Sequence, residues 1–170
     1  MLIRKIKSIG CWDPNKINEK INRSDATIPG DTISDLKTDQ NGLSVWYTPD
    51  LEEENIAPIL AAIAVSRDAV QKVSYVVLEE FELEKMEIYA KQVDGLAPGI
   101  TDSTILSCHH DLVDIDYKRL GILADYISNL IKEQKGKTKN ERAIKGYINN
   151  LIQTNRIEKE SLKEGILKSL

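Results

Sequence analysis

The side chains best suited to chemistry gather in one short segment, Cys108-His109-His110-Asp111, with Asp114 and Asp116 close behind. This segment contains both histidines of the chain. Imidazole and carboxylate groups together suit zinc, manganese or iron, and histidine is the usual general base near neutral pH. A metal site or a catalytic site would therefore be sought here first.

The spacing within this segment limits what it can bind. Adjacent residues point to opposite faces of a strand and lie about 100° apart around a helix, so His109 and His110 do not easily share one ion. His110 and Asp114 lie one helical turn apart, but two ligands are fewer than a metal usually needs. One alternative function is a metal-assisted hydrolase that uses His110, Asp111 and Asp114.

We favour a structural interpretation of the same residues. Asp strongly prefers the N-cap of a helix, where its carboxylate accepts hydrogen bonds from free amides and is stabilised by the helix dipole. The segment from Cys108 to Asp116 is therefore predicted to be a chain reversal that introduces a helix, with Asp111 or Asp114 as N-cap. The sequence also lacks the glycine patterns of nucleotide-binding loops and serine hydrolases. No cofactor and no metal is expected.

Charge is distributed unevenly along the chain. Residues 1–131 hold 13 Lys and Arg against 22 Asp and Glu, whereas residues 132–170 hold 10 against 5. Four glutamates form a candidate binding surface: Glu79, Glu80, Glu82 and Glu84. Opposite charges favour association, so we hypothesise a non-enzymatic interaction module whose acidic surface meets a partner protein with a basic surface. Bacterial cytoplasmic immunity, inhibitor and adaptor proteins are examples.

The basic C-terminal end supports a second alternative, contact with nucleic acid through its helices. Four cations there are suited to phosphate groups: Lys137, Lys139, Arg142 and Lys145. The same opposite charges also allow this end to pack on its own acidic body. We expect one domain, with an acidic body over residues 1–135 and a basic helical extension over residues 136–170 packed on it.

Apolar and β-branched runs predict four strands, near residues 2–11, 43–48, 72–78 and 87–93. The chain order permits a βαβ unit between Leu43 and Leu78, which would make the sheet partly parallel. Helical periodicity and capping residues predict helices from Asn55, from Ile115 and, with Thr138 and Glu141 as a capping box, after residue 138. The prediction is an α+β fold, with a small mixed sheet packed against helices.

Hydropathy and the first residues of the chain indicate in which compartment the protein is expected. The longest uncharged stretch, Asn55 to Ser66, has 12 residues, well short of the roughly 20 that a membrane-spanning helix needs. Residues 1–7 alternate apolar and basic side chains and do not resemble a signal peptide. We therefore expect a cytoplasmic protein that makes no membrane contact.

Overall fold

The fold is built on one six-stranded sheet with the strand order β4-β5-β2-β1-β3-β6. The structure is a computed structural model, and it describes residues 1–21, 28–95 and 97–170. The strands are β1 (Leu2–Ile6), β2 (Leu43–Tyr47), β3 (Val73–Leu78), β4 (Tyr89–Gln92), β5 (His109–Val113) and β6 (Lys137–Lys139). Each of the five pairings is antiparallel.

Helices cover both faces of this sheet. The α-helices are α1 (Ile9–Trp12), α2 (Pro14–Ile21), α3 (Glu53–Val65), α4 (Glu80–Lys85), α5 (Ser103–Leu106), α6 (Tyr117–Lys132), α7 (Glu141–Gln153) and α8 (Glu164–Ser169). Two 3-10 helices, Gly30–Leu36 and Lys159–Ser161, complete the regular structure of the described residues. None of the helices within the described ranges is long and apolar enough to cross a membrane.

The predicted α+β class is confirmed, and its connectivity differs in one respect from the expectation. Strands β2 and β3 both pair antiparallel with β1, so they run in the same direction on its two sides. Helix α3 connects them, as the predicted βαβ unit requires. Because β1 lies between the two strands, however, the expected parallel pairing is not formed.

The sheet separates two hydrophobic cores. Successive side chains of a strand point to opposite faces, and in β1 Ile3 enters one core while Leu2 and Ile6 enter the other. Helices α3 and α7 cover the Ile3 side, which we call the α3 face. Helix α6 covers the opposite side, which we call the α6 face.

The C-terminal helices contribute to the core of the α3 face. Ile144, Ile148 and Leu151 of α7 are buried in the same cluster as the apolar residues of α3. The Lys139 ammonium group also lies 2.5 Å from the Glu53 carboxylate at the beginning of α3. The basic end of the chain therefore contacts the acidic part through both apolar packing and an ion pair.

Several predicted boundaries are corrected by the structure. The segment predicted as a chain reversal after Cys108 is strand β5, and the N-cap of α6 is Asp116, which accepts a hydrogen bond from the Arg119 amide at 2.8 Å. Asp114 instead has a φ of +56° in the turn between them. Thr138 lies in strand β6, and Asn140 is the N-cap of α7.

Helix α3 begins at Glu53, two residues before the predicted Asn55. The Asp50 carboxylate stabilises this early start, because it accepts hydrogen bonds from the Glu52 amide and the Asn55 side chain. Those bonds, led by the one from Asn55, lower the pKa of Asp50. The strand predicted over residues 2–11 ends at Ile6 because a short helix follows it.

Candidate functional site

The acidic cluster lies on and beside α4, immediately after β3, and its four glutamates divide between two sides of this helix. Glu79 and Glu82 face a large groove next to α6. Glu80 and Glu84 instead border a small hollow on the other side. The structure therefore brings two of the four predicted residues to one concave surface.

The groove beside β3 has a volume of about 730 Å³. Leu51 and Val77 line it on the α3 face, and Tyr126 and Leu130 of α6 line it on the α6 face. It therefore spans the edge of the sheet between the two helical layers. We call it the edge groove.

The edge groove contains a length of β3 that has a strand on one side only. Strand β6 pairs with Val73, Ser74 and Tyr75, whereas β1 pairs with β3 from Ser74 to Leu78. Residues 76–78 therefore have no strand partner on the groove side among the described residues. The next amide, that of Glu79, donates a 3.4 Å hydrogen bond to the Tyr126 hydroxyl.

Charged side chains surround this open strand edge. Glu79, Glu82 and Glu133 line the groove together with Lys135 and Lys137. The Lys135 ammonium group lies 2.7 Å from the Glu133 carboxylate, and the hydrogen bond between them raises the pKa of Lys135. This pair is therefore internally neutralised. Glu82 also forms an ion pair, with the Lys85 ammonium group at 2.7 Å, so Glu79 and the partly neutralised Glu82 provide the acidic side of the groove.

The structure does not bring together the three residues of the predicted metal site. His110 pairs with Val45, whose side chain lies on the α6 face, whereas Asp111 pairs with Ser44 on the α3 face. The His110 ring contacts Tyr47, and its Nδ1 atom lies 3.0 Å from the Cys108 carbonyl oxygen. Strand alternation thus separates the imidazole of His110 from the carboxylate of Asp111.

Asp111 and Asp114 do line a common polar pocket of about 580 Å³, together with Arg4, Lys37 and Asp39. No group of three His, Cys, Asp or Glu side chains suited to one metal ion occurs in the part of the chain that the structure describes. The pocket instead mixes two cations with three carboxylates. The hydrolase alternative built on His110, Asp111 and Asp114 gains no support from this arrangement.

The four predicted nucleic-acid contacts lie on two elements. Lys137 and Lys139 are on β6, and Arg142 and Lys145 are on α7. Lys139 is paired with Glu53 at 2.5 Å and Lys145 with Glu141 at 3.0 Å. These intramolecular pairs reduce the positive potential offered to a phosphate backbone.

A pair of residues that the sequence did not indicate lies on the α3 face. The Ser44 Oγ atom of β2 is 2.7 Å from the His109 Nε2 atom of β5. Burial lowers the pKa of His109, and the Trp46 ring packs edge-on against its imidazole at 5.0 Å between centroids. The pair was missed because β5 was predicted as a turn, and only Leu112 and Val113 in that segment favour a strand.

No protein-family model, no curated protein and no solved structure matches this chain. Function is therefore inferred from geometry and charge.

Proposed function

We propose that this protein is a protein-binding module, of the immunity, inhibitor or adaptor kind, whose edge groove holds an extended basic segment of a partner protein. One observation carries this proposal. The open half of the β3 edge lies inside the edge groove, next to Glu79 and Glu82. Backbone, apolar and acidic binding groups thus occur together.

The backbone of β3 supplies the first binding element. Residues of a strand direct their N–H and C=O groups alternately to its two edges, and the Glu79 amide points to the groove, where it meets Tyr126. Val77, two residues earlier, therefore directs its own N–H and C=O to the same side. An extended peptide placed there would continue the line of β6 and pair with Val77, which is the mode of binding called strand addition.

The side chains around the groove supply selectivity. Leu51 and Leu130 lie on opposite sides of the strand edge, so apolar residues of a bound segment would be covered on either face. Burial raises the pKa of Tyr126, so its hydroxyl stays protonated at neutral pH and can donate to a peptide carbonyl. Glu79 and Glu82 would attract Lys or Arg of the partner.

The test is selection of binders from a phage-displayed library of short random peptides against the whole protein. We expect selected peptides to combine Lys or Arg with alternating apolar residues. They should protect the Val77 amide from hydrogen exchange, because strand addition gives that amide a new acceptor. In a strand, every second peptide amide faces β3. N-methylation of the amides that face β3 should abolish binding, whereas N-methylation of the amides that face away should leave it unchanged.

Charge reversal supplies the matched control. The double variant Glu79→Lys with Glu82→Lys should bind the selected peptides at least about tenfold more weakly. The double variant Glu54→Lys with Glu160→Lys makes the same charge change at exposed residues outside the groove and should bind as the wild type does. Failure to select any peptide, selection of peptides without basic residues, or equal loss in both variants would contradict the proposal.

A further inference from the structure

A cavity of about 300 Å³ opens on the α3 face where β1 and β2 separate. It is lined by Arg4 and Lys5 of β1, Ser44 and Trp46 of β2, His109 of β5, and Ile63 of α3. We propose that this cavity is a second functional site, in which Ser44 is a nucleophile activated by His109 toward small esters that carry a negative charge. This inference is independent of partner binding at the edge groove.

The first argument is the geometry of the pair. A serine nucleophile needs a base within hydrogen-bond reach, and the 2.7 Å separation between Ser44 Oγ and His109 Nε2 meets this requirement. Ser44 is also exposed and lines the cavity, so a substrate carbonyl can approach its hydroxyl. Nucleophile, base and space for a substrate are thus present together.

The second argument is the state of the imidazole. Burial lowers the pKa of His109, so its ring is neutral at pH 7 and can accept a proton. When the ring proton is on Nδ1, Nε2 accepts the hydrogen bond from Ser44. Nδ1 is itself buried and has no hydrogen-bond partner among the residues that the structure describes. A buried ring nitrogen without a partner is unusual, and functional sites are one place where such groups occur.

The third argument is the positive charge around the pair. Arg4 lies where the β1–β2 ladder ends, and its Nη1 atom donates to the Ser44 carbonyl oxygen at 2.5 Å. Burial lowers the pKa of Arg4 to about 10, which leaves it protonated at neutral pH. Lys5 lines the same cavity, and its pKa is lowered by burial and, further, by the nearby charge of Arg67. The carboxylates of Asp35 and Asp111 partly offset the charge of Arg4, so Lys5 is the cation best placed to favour a substrate with a carboxylate or phosphate group.

The reaction would proceed through an acyl-serine. Ser44 Oγ attacks the ester carbonyl carbon while its proton passes to His109 Nε2. The ester C–O bond then breaks, and the alcohol leaves with the proton returned by His109. Water, deprotonated by His109, cleaves the acyl-serine to release the carboxylic acid and restore the Ser44 hydroxyl.

The test uses the full chain and a fluorophosphonate, which activated serines attack at phosphorus with loss of fluoride. Tandem mass spectrometry should place the adduct on Ser44, and Ser44→Ala should remove it. His109→Ala and His109→Gln should slow labelling at least about 100-fold, because general-base assistance is worth that much. Ser103→Ala, at an exposed serine outside this cavity, should be labelled as the wild type is.

Substrate charge is tested with two chromogenic esters. The wild type should hydrolyse p-nitrophenyl succinate in preference to p-nitrophenyl acetate, and Lys5→Met should reduce that preference about fivefold. Thermal melting of each variant establishes that it is folded. The absence of an adduct on Ser44, or labelling of a folded His109 variant at the wild-type rate, would overturn the proposal.

Discussion

The Asp102 carboxylate lies 2.5 Å from the Nε atom of Arg156, joining α5, which precedes β5, to the segment that follows α7. Asp102 is also the N-cap of α5, where it accepts bonds from the amide and hydroxyl of Thr104 at 2.8 and 2.6 Å. An isolated antiparallel β-bridge between Ile100 and Ile157 lies beside this contact. One carboxylate therefore secures both a helix start and a long-range connection.

We expect Asp102→Asn to lower the free energy of unfolding by about 1 kcal/mol, because Asn still caps α5 but loses the charged bond to Arg156. Asp102→Ala should cost about 2 kcal/mol, because the cap is lost as well. Urea denaturation measures both values. Asp125→Asn, at an exposed position of α6, is the matched control and should change stability little. Equal effects of all three variants would contradict this role.

The same carboxylate should make stability depend on pH. Hydrogen bonds from Thr104, assisted by Arg156, lower the pKa of Asp102 to about 2, below the value of about 3.9 in an unfolded chain. A depressed carboxyl pKa contributes stability that is present above about pH 4 and is lost as the pH falls toward 2. Urea unfolding across this window should show a smaller loss for Asp102→Asn than for the wild type.

Gly95 packs closely against His109. A Cβ atom at Gly95 would lie 2.9 Å from the His109 Cβ and 2.8 Å from the Leu106 carbonyl oxygen. Gly95→Ala should therefore destabilise the fold by about 1–3 kcal/mol and slow fluorophosphonate labelling of Ser44, because the imidazole is displaced. Thermal melting and labelling rates measure the two effects.

Gly146 provides the contrasting glycine substitution. It lies inside α7, and a Cβ atom there would meet no atom within 4 Å. Gly146→Ala should raise the free energy of unfolding by about 0.5–1 kcal/mol, because alanine favours a helix more than glycine does, and should leave labelling unchanged. A destabilising effect at Gly146, or unchanged labelling at Gly95, would count against these assignments.

Labelling of Ser44 should depend on pH through His109. Burial lowers the pKa of this imidazole below 6.5, while Asp111 opposes that shift and His110 adds to it. Lys5 of β1 lines the same cavity, as does Arg4, whose guanidinium donates to the carbonyl oxygens of Ser44 and Asp35. The labelling rate should therefore be constant near neutral pH and fall with a midpoint below 6.5. Asp111→Asn should move that midpoint lower still, whereas a wild-type midpoint above 6.5 would exclude His109 as the base.

The elements that could be predicted are those whose signal is local. The nearly continuous apolar run before Glu79 specifies β3 as a strand covered on both faces, and the predicted range of residues 72–78 differs from the observed strand by one residue. Helix α6 was also recognised, because its apolar residues recur at helical spacing. Strands β5 and β6 were missed, because a segment of His and Asp, or of Lys and Thr, becomes a strand only when a neighbouring strand pairs with it.

In the candidate sites too, local residue types could be predicted from the sequence, whereas contacts between distant segments could not. Glu79 and Glu82 were selected from their charge, but the groove beside them depends on α6, whose Tyr126 and Leu130 are more than forty residues away in the chain. The three residues proposed for a metal site are close in sequence, but strand alternation separates His110 from Asp111.

The sequence by itself determined the α+β class, the uneven charge and the positions of the strongest strands and helices, because local periodicity and composition encode them. Only the tertiary structure decided that β1 lies between β2 and β3, that half of the β3 edge stays open, and that Ser44 meets His109 from 65 residues away. The physical reason is that strand order and register depend on contacts between segments that are distant in the chain. Alternative pairings of these segments differ in how well they bury the apolar side chains of the whole core.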